Sequence, residues 1–189
     1  MRWKALALAL VLMAVLTVPA SAQLGFKAGL TIATLSEADA SPDFKNHTGF
    51  AAGVAIGIPL GIPILRLQPE VLYVEKGAKV EPDSEVKIAY LEVPVLFKVN
   101  IPTPGITPFA VAGPMASLRL SCEIDAVDCD QDIESVDYGV ALGAGLRFGG
   151  PLGLTLEGRY TAGLKNINKV SEGIDNKTRT FMVLAGISF

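Results

Sequence analysis

The chain has 189 residues, of which 50% are hydrophobic, and it carries a formal net charge of −3 at pH 7. This length suits one domain or one small barrel, and the weak negative charge excludes a protein that binds nucleic acid through a basic surface. The mean hydropathy of +0.44 is high for a soluble domain, yet the only long uncharged run lies at the start of the chain. The remaining apolar residues are spread through alternating segments, as in strands that cross a membrane.

Residues 1–22 predict a cleaved secretory signal peptide. Arg2 and Lys4 precede an apolar core, and the segment closes on A-S-A, which is a small-residue cleavage site. The apolar core is short for crossing about 30 Å of hydrocarbon, so cleavage is favoured over a retained transmembrane anchor. We expect residues 23–189 to form the mature domain.

Eight segments of alternating character predict β-strands, because successive side chains of a strand point to opposite faces. The connections after the second, fourth and sixth segments are short, and the others are longer and more polar. Outer-membrane barrels have short periplasmic turns and longer extracellular loops, and closure removes the strand edges that lipid cannot satisfy. The sequence therefore predicts an all-β, eight-stranded, antiparallel up-and-down transmembrane β-barrel. The predicted strands are Leu24–Ala33, Gly49–Ile58, Ile64–Lys76, Val86–Val99, Pro108–Leu120, Val136–Phe148, Leu152–Lys165 and Thr178–Phe189.

The second predicted strand shows the alternation most clearly. One of its faces carries bulky residues such as Phe50, Val54 and Ile56, and the other carries only Gly and Ala. A soluble strand usually presents charged or hydroxyl side chains on its open face. Lipid against the bulky face and a narrow interior against the small face account for the pattern, so we expect the bulky faces to point outward.

Two strands depart from regular alternation. Pro94 in the fourth strand lacks the donor that a β-ladder needs, so we expect a β-bulge there. In the fifth strand Phe109, Val111 and Met115 share one side, but the alternation is lost after Gly113. The sequence therefore leaves the register of the fifth strand open.

The face predicted to point inward holds charges of both signs. An eight-stranded barrel is just wide enough for side chains to fill it, and a buried charge without a partner is costly. We therefore expect a network of salt bridges in the lumen, and a path for protons or ions is the alternative. The predicted lumen charge network consists of Arg66, Glu70, Glu92, Lys98, Asp137, Arg147, Glu157 and Arg159, and Lys27, Gln68 and Lys165 share the same face.

Cys122 and Cys129 are the only cysteines, and an even pair in an exported chain predicts a disulfide. Asp128, Asp130 and Asp132 alternate in the same acidic loop, and such alternating carboxylates are a candidate Ca²⁺ site. The loop lacks the Gly and the distant Glu of an EF-hand. A solvated acidic loop is the favoured interpretation, and no metal or other cofactor is expected.

His47 is the single histidine and lies where a loop meets the second strand. Some small membrane barrels are lipid hydrolases that use His, Ser and an acid, and such a site needs Ser and His within hydrogen-bond reach. No serine stands on a predicted strand at a suitable spacing from His47. We expect a surface histidine and no catalytic residues.

Several motifs resemble the outer-membrane β-barrel family called porin-like or PorT-like. They are Leu67–Tyr73, Tyr90–Lys98 with its Leu-Glu-Val-Pro, and pieces of the later strands. The terminal Phe189 resembles the closing-strand signal that barrel-insertion machinery reads. The resemblance implies an eight-stranded outer-membrane barrel of the kind found in Bacteroidota-like bacteria, without a demonstrated pore or catalytic residues. It does not extend to the loop that carries the two cysteines.

These observations favour an outer-membrane barrel with a structural or surface-interaction role, carried by its longer loops. The expected partners are outer-membrane lipids, the insertion machinery, and an extracellular ligand or envelope protein, and no nucleic acid is expected. Three alternatives stay open: a narrow channel for small solutes, a membrane-embedded lipid-modifying enzyme, and a soluble periplasmic lipid carrier with the two faces exchanged.

Overall fold

The computed structural model describes residues 22–36, 44–80, 84–124, 127–128, 136–149, 152–164 and 177–189. Within these ranges eight long strands form one closed antiparallel barrel. A two-residue strand, Val127–Asp128, pairs with the end of the fifth strand. The barrel strands are β1 (Gln23–Ser36), β2 (Phe44–Pro59), β3 (Leu65–Val80), β4 (Ser84–Asn100), β5 (Ile106–Ile124), β6 (Val136–Phe148), β7 (Gly153–Gly163) and β8 (Lys177–Ser188).

Each strand pairs with its neighbours in sequence, and β1 closes the barrel by pairing with β8 as well as with β2. Phe26, for example, lies opposite Val54 on one side and Ile187 on the other. The predicted fold class, eight antiparallel strands in up-and-down order, is confirmed. The described residues include no helix long and apolar enough to cross a membrane.

The two ends of the barrel differ. The turns after β2, β4 and β6 are short, and two of them contain a glycine at positive φ, Gly61 at 77° and Gly105 at 82°. A residue with a side chain rarely adopts this conformation, so glycine permits the tight reversal. We call this the short-turn end, and it also holds the beginning of β1 and the end of β8. The opposite end is the long-loop end, although its β3–β4 connection, predicted to be long, spans only residues 81–83 because both strands extend further than predicted.

At the long-loop end the strands run further than the sequence predicted. β1 continues to Ser36, β2 begins at Phe44, and β5 continues to Ile124. The sequence predicts loops here because these segments are mostly polar. A β-ladder needs only backbone donors and acceptors, so paired strands can extend past the apolar band with polar side chains.

The bulky alternating faces point outward, as predicted. On the inside, small or polar side chains occupy the opposite positions, such as Gly25, Lys27 and Thr31 on β1. This orientation suits contact with lipid, and a soluble carrier with exchanged faces is therefore wrong. Exposed large apolar residues include Leu30, Phe97, Leu142, Leu154 and Phe181.

The predicted bulge at Pro94 is wrong. The pairs Pro69–Val95 and Leu72–Glu92 keep one register across this proline, which shows that the strand tolerates a missing donor without an extra residue. The register shift between β4 and β5 occurs instead between Ala89 and Tyr90. A second shift between β2 and β3, at 46–51, was not predicted.

In β5 the large apolar residues face inward. Phe109, Val111 and Met115 are buried, and Ala110 and Ala112 take the outer positions. These three large side chains fill the bore where β5 lines it, so the interior is closely packed there.

Candidate functional site in the barrel bore

A buried ionic network crosses the bore near its middle. Lys27 on β1 lies with its Nζ 2.7 Å from Glu70 Oε1 and 2.7 Å from Glu157 Oε2. Arg159 Nη1 lies 2.6 Å from Glu70 Oε2, and Arg159 Nε donates to Glu157 Oε1 at 2.7 Å. Gln68 adds a donor to Glu70 at 2.6 Å. We call these five residues the central network.

The central network balances its own charge, because two cations face two carboxylates that each contact both of them. Glu70, Glu157 and Arg159 are no more than 2% exposed. Desolvating such groups costs several kcal/mol per ion unless every charge is paired and hydrogen-bonded. The partners come from β1, β3 and β7, so the network joins opposite walls of the barrel.

Toward the long-loop end a second ion pair is buried. Lys76 Nζ lies 2.5 Å from Glu92 Oε1 and 5.0 Å from the centre of the Tyr90 ring. Strand register places Glu92 beside Ser117, and Ser117 beside Asp137, so these three polar residues form one row across β4, β5 and β6. All three are buried.

Apolar side chains fill the bore on both sides of these charges. One cluster joins β2, β3 and β8, and the other joins β4, β5 and β6. Large buried side chains therefore occupy much of the described part of the bore. The clusters are Ala51, Leu72, Val74, Met182 and Leu184, and Leu96, Phe109, Val111, Met115 and Ala141.

The short-turn end of the bore opens into a small cavity of about 40 Å³. Its lining includes the cations Arg66, Lys98 and Arg147. Arg66 Nη1 donates to Gln23 Oε1 at 2.8 Å, and Lys98 Nζ lies 3.8 Å from the centre of the Phe109 ring. We call the cavity with these three cations the basic vestibule, and Lys27 of the central network forms its floor.

The residues predicted for a lumen network thus occupy several places. Glu70, Glu157 and Arg159 meet in the central network, Glu92 pairs with Lys76, and Arg66, Lys98 and Arg147 line the vestibule. Asp137 is buried beside Gly163, where a Cβ would lie 2.5 Å from Asp137 Oδ2. Lys165 lies outside the described residues.

Sequence reasoning missed two inner cations, Lys76 and Arg119. Lys76 shares the parity of Arg66 and Glu70 and is the last residue of the predicted third strand, so following the inward parity to the end of that strand would have found it. Arg119 lies opposite Tyr90 just beyond the register shift, where the alternation in β5 gave no signal.

The remaining candidate sites are only partly described. The backbones of His47 and Cys122 lie in β2 and β5, but their side chains, and all of Cys129, lie outside the described residues. The same holds for the candidate calcium ligands, since Asp130 and Asp132 are outside the described ranges and only the backbone of Asp128 is within them. The disulfide and the calcium site stay predictions.

Phe189 directly follows β8 and lies against β1. Its amide donates to the Leu24 carbonyl at 2.9 Å, and its ring meets the Phe26 ring edge-on, with centroids 6.3 Å apart. The ring is 58% exposed on the outer face. It therefore stands at the seam that closes the barrel, and its reading by insertion machinery stays a prediction.

The sequence of residues 17–169 matches the family described as outer membrane protein beta-barrel domain. This match covers most of the chain. The chain belongs to the outer membrane protein β-barrel family. Family membership and the outward apolar face together place this outer-membrane barrel in an outer membrane. The finer likeness to PorT-like proteins of Bacteroidota stays a prediction.

Solved outer-membrane barrels share the fold. The Neisserial surface protein NspA is 17% identical with a TM-score of 0.59, and the match covers 87% of this chain and 95% of NspA. Ail, the attachment invasion locus protein of Yersinia pestis, is 16% identical with a TM-score of 0.52, covering 88% and 98% of the two chains. At these identities the likeness establishes the fold alone. No curated protein sequence matches the chain significantly.

Proposed function

We propose that this outer-membrane barrel is a non-conducting, non-catalytic envelope protein that presents its long-loop end at the cell surface. The chain reaches the outer membrane after export by the signal peptide of residues 1–22. The barrel anchors and spaces the loops, and contacts with an extracellular ligand or another envelope protein occur through them. Binding residues commonly lie on loops that a rigid scaffold holds in position.

The observation that carries the proposal is the filled bore. The ion pairs of the central network join β1, β3 and β7 at nitrogen–oxygen distances of 2.6–2.7 Å. The two apolar clusters fill further parts of the bore. Ions would have to displace paired, desolvated charges to pass, which is energetically expensive. A barrel of eight strands leaves no room for a water-filled path beside them.

The lack of catalysis is supported by the chemistry of the described inner face. Its buried hydroxyls include Thr31, Ser117 and Thr180, and no histidine lies among the inward-facing described residues. A serine nucleophile is usually activated by an adjacent histidine, and the carboxylates that lie beside Ser117, Glu92 and Asp137, are buried with it in the packed bore. We expect that substituting the single histidine, His47, by alanine causes no loss of a lipid-modifying activity and leaves the folding of the barrel unchanged.

Conductance in planar lipid bilayers tests the proposal. The purified barrel is inserted at a protein-to-lipid ratio at which a 16-stranded porin, measured as the positive control, gives clear steps. We expect no stable steps from the wild-type barrel. Insertion is checked in parallel by the shift in gel migration on heating, which folded membrane barrels show. Regular single-channel steps from heat-modifiable protein would overturn the proposal in favour of a narrow channel.

A further inference from the structure

The basic vestibule has an excess of positive charge. Arg66, Lys98 and Arg147 line it, and no carboxylate lines the cavity among the described residues. Glu70 and Glu157 lie deeper in the bore, where Lys27 and Arg159 already occupy their oxygens. The three vestibule cations are therefore not neutralised by the central network.

The cations are held close together in spite of their repulsion. Arg66 and Arg147 line the same small cavity, so their positive charges repel each other. Arg147 Nε and Ser188 Oγ lie near each other at Gly153, since a Cβ placed on that glycine would be 2.6 Å from each of them. Like charges brought together in a partly desolvated cavity destabilise the protein unless an anion joins them.

The cavity has the size and donors for one small oxyanion. Its volume of about 40 Å³ is roughly three times the 10–15 Å³ that a single water needs on this measure. Guanidinium groups offer paired donors that match the oxygens of phosphate. Neutral donors and acceptors, including Gln23, Asn100, Thr155 and Ser188, also line the cavity, together with the apolar residues Phe26, Ala55 and Ile187.

We propose that the basic vestibule binds a phosphate group at the short-turn end of the barrel. Arg66 and Arg147 donate to its oxygens, Lys98 supplies a further positive charge, and the central network closes the cavity behind it. The group does not pass through the barrel. Its source is either free inorganic phosphate or the phosphate of a lipid headgroup in the facing leaflet.

Gly57 lines the vestibule and provides a direct test of the site. A Cβ built on it would have no atom nearer than 3.8 Å, and Arg66 Nη1 is one of the atoms at that distance. Gly57→Asp places a carboxylate where the phosphate would bind, and Gly57→Asn places a neutral group of the same shape there. Arg66→Gln removes a donor directly. Arg179→Gln is the matched charge control, since Arg179 is exposed near the opposite end of the barrel.

Isothermal titration calorimetry with inorganic phosphate, and separately with glycerophosphate as a soluble headgroup mimic, measures binding to each detergent-folded variant. We expect Gly57→Asp and Arg66→Gln to weaken binding by at least about tenfold, which corresponds to the 1.4 kcal/mol typical of one lost charged hydrogen bond. Arg179→Gln should stay close to wild type, and Gly57→Asn should weaken binding less than Gly57→Asp, because it adds the same bulk without the negative charge. Heat-modifiable gel migration establishes that each variant is folded.

Binding of inorganic phosphate with this pattern supports the site and identifies free phosphate as sufficient. Binding of glycerophosphate alone, with the same pattern, supports the site and identifies the headgroup as the source. Absence of saturable binding of either compound to wild type overturns the proposal. Binding that survives unchanged in both Gly57→Asp and Arg66→Gln also overturns it.

Discussion

Arg159 is the side chain on which the central network depends most. Its guanidinium contacts both Glu70 and Glu157, and it is 1% exposed. Arg159→Gln leaves two buried carboxylates that share only the ammonium of Lys27. We expect the free energy of unfolding to fall by about 3–5 kcal/mol, the usual cost of removing one partner from a buried ion pair. Urea titration of the barrel folded in lipid vesicles measures this loss.

The control for this substitution is Arg179→Gln, which makes the same chemical change at an exposed position. Its unfolding midpoint should match that of wild type, because exposed charges contribute little to stability. A loss below about 1 kcal/mol for Arg159→Gln would show that water reaches the network and screens it. The bore would then not be sealed in the way that its packing indicates.

Inward glycines set how closely neighbouring strands approach. A Cβ built on Gly53 would overlap the backbone carbonyl of Val71, whereas one built on Gly57 meets nothing closer than 3.8 Å. We expect Gly53→Ala to lower the unfolding free energy by about 1–3 kcal/mol through overpacking. Gly57→Ala should leave it equal or raise it by up to about 1 kcal/mol, because alanine restricts the unfolded chain.

The two glycines lie on the same face of the same strand, so their comparison isolates the close approach. Urea midpoints for both variants in the same vesicles provide the measurement. Equal losses at the two positions would mean that the inner face of β2 tolerates no side chain anywhere, and that the contact with Val71 is not the cause.

At the scale of whole strands, β5 is where the structure adds most to the sequence. Its inner face holds Val111 and its outer face holds Ala112, which lies opposite Leu142. We expect Ala112→Leu to be neutral or stabilising, because lipid accommodates a larger apolar side chain. The same substitution at Ala141, which is fully buried in the bore, should cost about 1–3 kcal/mol by overpacking.

Unfolding titrations of these two alanine variants test the register of β5 directly. A shift by one residue would exchange the two faces of the strand. Ala112→Leu would then be as damaging as Ala141→Leu, and the inward orientation of Phe109 and Met115 would be incorrect.

The strands, and the faces of every strand except β5, could be predicted because the period of two is local and every wall strand has lipid on one side. Pairings across the bore could not be predicted in the same way. Glu70 lies 43 positions after Lys27 in the sequence, and Glu157 lies 130 positions after it. Their contact with Lys27 depends on the register of every strand between them. The same limit applies to Arg119, whose depth is set by the shift between Ala89 and Tyr90.

At the scale of the whole molecule, the two ends of the barrel define its orientation. The short turns lie at the same end as Gln23, which begins β1, and Ser188, which ends β8. Outer-membrane barrels keep their short turns in the periplasm. The basic vestibule then faces the periplasm. The loops proposed to bind partners then face the outside, and the central network separates the two compartments.

Epitope insertion tests this orientation in intact cells. One tag is placed within residues 81–83, after the last β3–β4 pair, Val80–Ser84. The matched tag is placed at Thr103 in the turn after β4, at the other end of the same strand. Both sites follow paired strand ends, where insertions are usually tolerated. We expect antibody to reach the first tag on intact cells and the second only after the outer membrane is permeabilised. Heat-modifiable migration checks that both tagged proteins fold. The reverse pattern of antibody access would mean that the barrel has the opposite orientation, with the vestibule rather than the loops facing the outside.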